Sequence, residues 1–168
     1  MGTDSLSTFE SSLQGLADSC VRTTPAAFTD TLATLLEKPA VGIGLPFDGV
    51  SLDDTPVRTD FDADDLAAAA TGITPAGLGV ADYGTVTIRS TSRGDELVGL
   101  FAPRHVAVVH ADDIVADMPA CFERLDEEFG AGDRTQVLAT GPSATADMGG
   151  LIQGVHGPES VHVVVIEP

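Results

Sequence analysis

The chain has 168 residues, 43% of them hydrophobic, which is enough to bury the core of one domain and too apolar for a disordered chain. It carries 26 acidic against 8 basic residues, a net charge of -18, which excludes nucleic-acid binding because phosphate contacts need basic clusters. No apolar run approaches the roughly 20 residues of a membrane span.

Leu6, Phe9, Leu13, Leu16 and Ala17 recur at helical spacing and predict an amphipathic helix over residues 5–20. Pro25 suits the first turn of a second helix, with Phe28, Leu32, Leu35 and Leu36 on one face and Lys38-Pro39 at its end. The run from Ala40 to Gly44 predicts a strand, broken at Pro46. Phe47 to Asp60 is a loop with a short strand near Val57. Asp62 to Ala70 predicts a short helix, with Asp64 and Asp65 in the first turn where the dipole favours them, and Gly72 as a stop.

Leu78–Ala81 and Thr85–Ile88 predict two strands joined at Asp82-Tyr83-Gly84, a local antiparallel insert. Ser90 to Asp95 is a polar turn, and Leu97–Leu100 a further strand. His105–Val109 is continuously apolar, as expected of a strand buried on both faces. A helix follows over Ile114–Phe129, offset at Pro119 and stopped at Gly130-Ala131-Gly132. Thr135–Ala139 predicts a strand, Ser143–Gly149 a short helix and Val161–Ile166 the last strand. Strands alternating with helices imply an α/β fold: a mostly parallel sheet with helices on both faces, in a single domain over residues 1–168.

The acidic residues are spread along the chain. Spread favours a surface adapted to concentrated salt, where self-repulsion is screened, over an acidic patch that docks a basic partner. Cys20 and Cys121 are isolated and read as buried thiols. Two cysteines cannot ligate an iron–sulfur cluster, and no spaced Cys/His set exists, so neither metal nor cofactor is expected in the chain itself. The first residues carry neither a secretory leader nor a myristoylation pattern, and the expected compartment is the cytoplasm.

Two segments can carry chemistry. In Thr140–Asp147 a strand ends, the chain turns at Gly141-Pro142, and a predicted helix begins near Ser143. Free backbone N–H groups at such a helix start suit an anion, while Ser143 can equally be a helix cap; the two readings are compatible. In Gln153–Pro158, His156 stands among turn formers as a proton donor, a ligand anchor or a plain surface residue. Ser143, Asp147 and His156 do not make a nucleophile elbow, since G-x-S-x-G is absent. Gly42-Ile43-Gly44 begins like a dinucleotide fingerprint but has Phe47 where the third glycine belongs.

Thr140–Asp147 and Gly154–Pro158, followed by His162 and the apolar last strand, resemble the signature end of the LUD family, also called the lactate-utilization protein C or YkgG family. Gly72-Ile73-Thr74, Gly79–Thr85 and Pro103–Val109 resemble its middle motifs, so the resemblance covers about residues 60–168. The resemblance implies a fold similar to the sugar-phosphate isomerase and coenzyme-A transferase group. It also implies an accessory or ligand-binding role beside iron–sulfur partner subunits that oxidise lactate to pyruvate. The ligand-facing residues it points to are Gly141, Ser143, Thr145, Asp147, Gly154 and His156. The alternatives are a free-standing enzyme on a small carboxylated or phosphorylated metabolite, and a sensor that binds such a metabolite without chemistry.

Overall fold

The computed structural model describes residues 2–132 and 135–168. Its centre is a six-stranded sheet built from β1 (Ser19–Thr23), β2 (Ala40–Gly42), β3 (Val57–Arg58), β4 (Thr71–Pro75), β7 (Arg104–His110) and β12 (Ser160–Ile166). The order is β1-β12-β7-β4-β2-β3, and every neighbouring pair is parallel. The two apolar runs, β7 and β12, lie side by side at the centre, with Val106–Val109 and Val163–Ile166 buried on both faces. The expected α/β architecture is therefore present.

One face of this sheet carries α2 (Phe28–Ala33), which follows a single 3-10 turn at Pro25–Ala27. Phe28, Leu32 and Leu35 pack there on Val106, Val108, Val164 and Ile166. The other face carries α1 (Gly2–Leu13), α3 (Ala63–Ala68), α4 (Asp95–Phe101) and a second sheet. That sheet contains β5 (Gly79–Val80), β6 (Thr85–Arg89), β8 (Ile114–Val115) and β9 (Gln136–Ala139), in the order β8-β5-β6-β9. The β5–β6 and β6–β9 pairs are antiparallel, so the insert anticipated around Asp82 is larger than one hairpin. Val86 and Ile88 face the main sheet with Leu6, Phe9 and Leu13 of α1. Leu78 and Val80 face outward onto Cys121 and Leu125 of α5 (Met118–Ala131).

Five expectations need correction. The first helix stops at Leu13, Gly15 adopts φ +83°, and Ser19–Thr23 is a strand that joins β12. Gly72 lies inside β4 rather than ending a helix, because α4 approaches there too closely for a side chain. Leu97–Leu100 is helical: Val98 and Gly99 are buried and Leu97 and Leu100 exposed, a helical rather than alternating pattern. Ile114–Val115 pairs with β5, and α5 starts only at Met118, capped by the Asp117 side chain, with Pro119 in its first turn.

The fifth correction concerns the predicted helix over Ser143–Gly149. Ala144–Thr145 (β10) instead pairs antiparallel with Ile152–Gln153 (β11) in a hairpin. Seven residues that end on a glycine, with another glycine next, and have no apolar face to bury cannot offset the cost of helix nucleation. The Ser143 N–H donates to the Pro158 carbonyl at 2.9 Å, and the Gly154 N–H donates to the Ser143 carbonyl at 3.0 Å.

Candidate functional site

In an open parallel sheet, ligands are generally held beyond the carboxyl ends of the strands. A cavity of about 630 Å³ occupies that position here. Pro25 follows β1, Phe47 and Asp48 follow β2, Ala76 and Gly77 follow β4, His110 closes β7, and Ile166 closes β12. Arg89 from the end of β6, and Arg124 and Glu128 from α5, complete the wall.

Both arginines of this crevice are paired with carboxylates. Arg89 Nη2 stands 3.1 Å from Glu128 Oε1, and Arg124 Nη2 stands 3.7 Å from Asp113 Oδ1. Each pairing holds its guanidinium at the crevice wall. His110 Nδ1 accepts the Asp112 N–H at 3.2 Å, which puts the proton of the neutral ring on Nε2. Its ring stacks on Phe47 with centroids 6.3 Å apart. The arrangement presents two fixed cations and an imidazole to a small polar ligand at the sheet edge. Sequence reading passed over Arg89 and Arg124 and read His110, at the end of a strand, as a structural histidine; the three lie on three separate elements. The available signal was scarcity: only eight basic residues serve the whole chain.

A second cavity, of about 240 Å³, lies at the opposite, amino-terminal edge of the sheet. It brings together three of the six residues singled out from the sequence: Gly141, Ser143 and His156. Thr145, Asp147 and Gly154 are not on its wall. Because no helix starts at Ser143, the helix N-terminus invoked for an anion is not formed. Among the described residues no hydrogen bond links Ser143, Asp147 and His156; the Asp147 N–H turns to Thr145 Oγ1 at 3.3 Å. The other walls are mostly apolar, with Glu96 of α4 and His105 of β7 as further polar groups. His105 is fully buried and donates to or accepts from Thr74 Oγ1 through Nε2 at 2.8 Å. Burial pushes its pKa down to about 4, so the ring is neutral at pH 7.

Neither cysteine adds a reactive centre. Burial raises the Cys20 thiol to about 12, and Cys121 is also raised and lies within the α5 packing. Among the described residues, no group of three or more His, Cys, Asp or Glu side chains is arranged to hold a metal. No helix among them is long and apolar enough to cross a membrane.

An all-parallel central sheet with a polar crevice at its carboxyl edge puts the chain in the class of open α/β-sheet proteins. The chain belongs to the LUD domain family, whose profile matches residues 26–166. It is similar to the lactate utilization protein C of Oceanobacillus iheyensis, with 28% identity over 59% of this chain and 44% of that one. The proteins of the same name from Shouchella clausii (29% over 59% of this chain and 44% of that one) and Bacillus licheniformis (30% over 57% and 42%) are similar to the same extent. The aligned part thus spans less than half the length of these relatives. A solved DUF162 family protein from Deinococcus radiodurans superposes with a TM-score of 0.76 at 21% identity, covering 99% of this chain and 98% of that one, and shares the fold.

Proposed function

We propose that this chain, acting as one cytoplasmic domain, is the ligand-binding accessory subunit of a lactate-utilization system in which iron–sulfur partner proteins oxidise lactate to pyruvate. The relatives named lactate utilization protein C support the pathway. The observation that carries the binding role is the carboxyl-edge crevice, where Arg89, His110 and Arg124 converge in a chain otherwise dominated by acids. A small carboxylate such as lactate or pyruvate suits it, because a guanidinium takes a carboxylate through two parallel hydrogen bonds. The apolar Phe47 and Ile166 beside the arginines suit a short carbon skeleton.

This reading places the carboxylate at the opposite sheet edge from Gly141, Ser143 and His156. The mixed charge of the crevice, with Asp48, Asp113 and Glu128 also on its wall, favours a ligand with hydroxyl or keto groups beside its carboxylate. His110, with its Nε2 proton, also gives the alternative of a free-standing enzyme on a carboxylated metabolite a proton-transfer group. Growth separates the function from both alternatives. A strain lacking the gene should fail to grow on lactate as sole carbon source and recover with the wild-type gene. Unimpaired growth would remove the pathway reading.

A further inference from the structure

The amino-edge cavity has a chemistry that the function above does not use. Glu96 and Gly99 stand three residues apart on α4, with Leu100 beside them, and all three line the cavity. Glu96 Oε2 is buried and has no hydrogen-bond partner among the described residues. A buried carboxylate oxygen without a donor forfeits more than an ordinary hydrogen bond is worth, so such a group calls for a donor from elsewhere. His105 does not supply it, since its Nε2 is engaged by Thr74 and its ring is uncharged. Neither lysine nor arginine lines the cavity. Ile88, Leu100, Val137, Leu138 and Val161 supply apolar walls.

From the pairing of an undonated carboxylate with apolar walls, we propose that this cavity binds an alkylammonium group, a primary amine on a short apolar stem. The stem replaces water along the leucine and valine walls, and the ammonium gives Glu96 a charge-assisted hydrogen bond. An anion there would meet the Glu96 carboxylate beside a neutral His105, with His156 as the other basic side chain on the wall. Two apolar residues that line the cavity also reach the surface, Leu100 of α4 and Leu138 of β9 (41% and 39% exposed). Such a rim suits an amine presented either by a free metabolite or by a lysine of another protein.

The test is a titration of the full chain with hexylammonium, hexanol and hexanoate at pH 7, followed by amide resonances in NMR. Hexylammonium should bind about ten-fold more tightly than either of the others, as expected for a charged hydrogen bond, and should shift Gly99, Leu100, Leu138 and Gly141. Glu96→Gln keeps the size and removes the charge, and should bring hexylammonium and hexanol to within about two-fold. Leu138→Arg alters an exposed strand position and puts a cation at the wall. It should weaken hexylammonium and strengthen hexanoate even if Glu96→Gln fails to fold. A capped Ala-Lys-Ala peptide distinguishes the sources: tighter binding than hexylammonium assigns the site to a partner's lysine, and weaker binding assigns it to a free amine. Equal binding of hexanol and hexylammonium, shifts confined to other surfaces, or no binding of any probe would overturn the proposal. None of these outcomes bears on the carboxyl-edge crevice.

Discussion

Gly72 on β4 lies under α4 so closely that a Cβ built on it would stand 2.3 Å from the Val98 carbonyl oxygen. Val98 is fully buried and its carbonyl belongs to the helix backbone, so the neighbour cannot turn aside. Gly72→Ala should therefore destabilise the fold by about 1–3 kcal/mol through overpacking, despite the usual gain in backbone entropy. Urea unfolding measures this directly, and an unchanged midpoint would show that α4 is not fixed against β4.

His105 ties stability to pH. Its pKa is about 4 when folded, against an ordinary value of 6.5, so the unfolded chain binds the proton more readily. The neutral ring contributes its stability in full above pH 6.5, and the contribution is lost as pH falls from there to about 4. The loss is on the order of 3 kcal/mol and adds nothing further below the folded pKa. His105→Gln does not titrate and keeps a polar group for Thr74. Its stability should fall less steeply than wild type over that interval, and parallel curves would contradict the burial argument.

The fold was legible where one local signal dominated. Val106–Val109 and Val163–Ile166 announced the buried central strands, and Asp82–Gly84 announced the turn of the insert. β4 was hidden because Thr71, Gly72 and Thr74 owe their burial to partners distant in sequence: Glu37 for Thr71, Val98 for Gly72 and His105 for Thr74. The Leu97–Leu100 segment imitates a strand until tertiary packing shows that Val98 and Gly99 face inward together. The family was readable from the motifs at Thr140–Asp147 and Gly154–Pro158, yet the first of them leads into a hairpin, not a helix start, and the second follows that hairpin. The crevice residues Arg89, His110 and Arg124 carry no local pattern, since they meet only through the three-dimensional order of the strands.

The charge of -18 should make stability depend on salt. Each of the six described arginines is paired with a carboxylate, and most of these pairs are substantially exposed. Exposed pairs contribute little, so screening of the unpaired acids should outweigh their loss. We propose that the surface is salt-adapted: melting temperature should rise from below about 0.1 M salt, where the Debye length is roughly 10 Å, to molar salt. A flat or falling profile would argue against adaptation.

The central claim, a small carboxylate held at the carboxyl edge of the sheet, is tested most directly by titrating lactate and pyruvate into the wild type, Arg124→Gln and His156→Ala, monitored by NMR. The account predicts shifts at Gly77, Arg89 and His110, about ten-fold weaker binding in Arg124→Gln, and unchanged binding in His156→Ala. Shifts centred on Gly141–His156, with binding lost in His156→Ala and intact in Arg124→Gln, would contradict it.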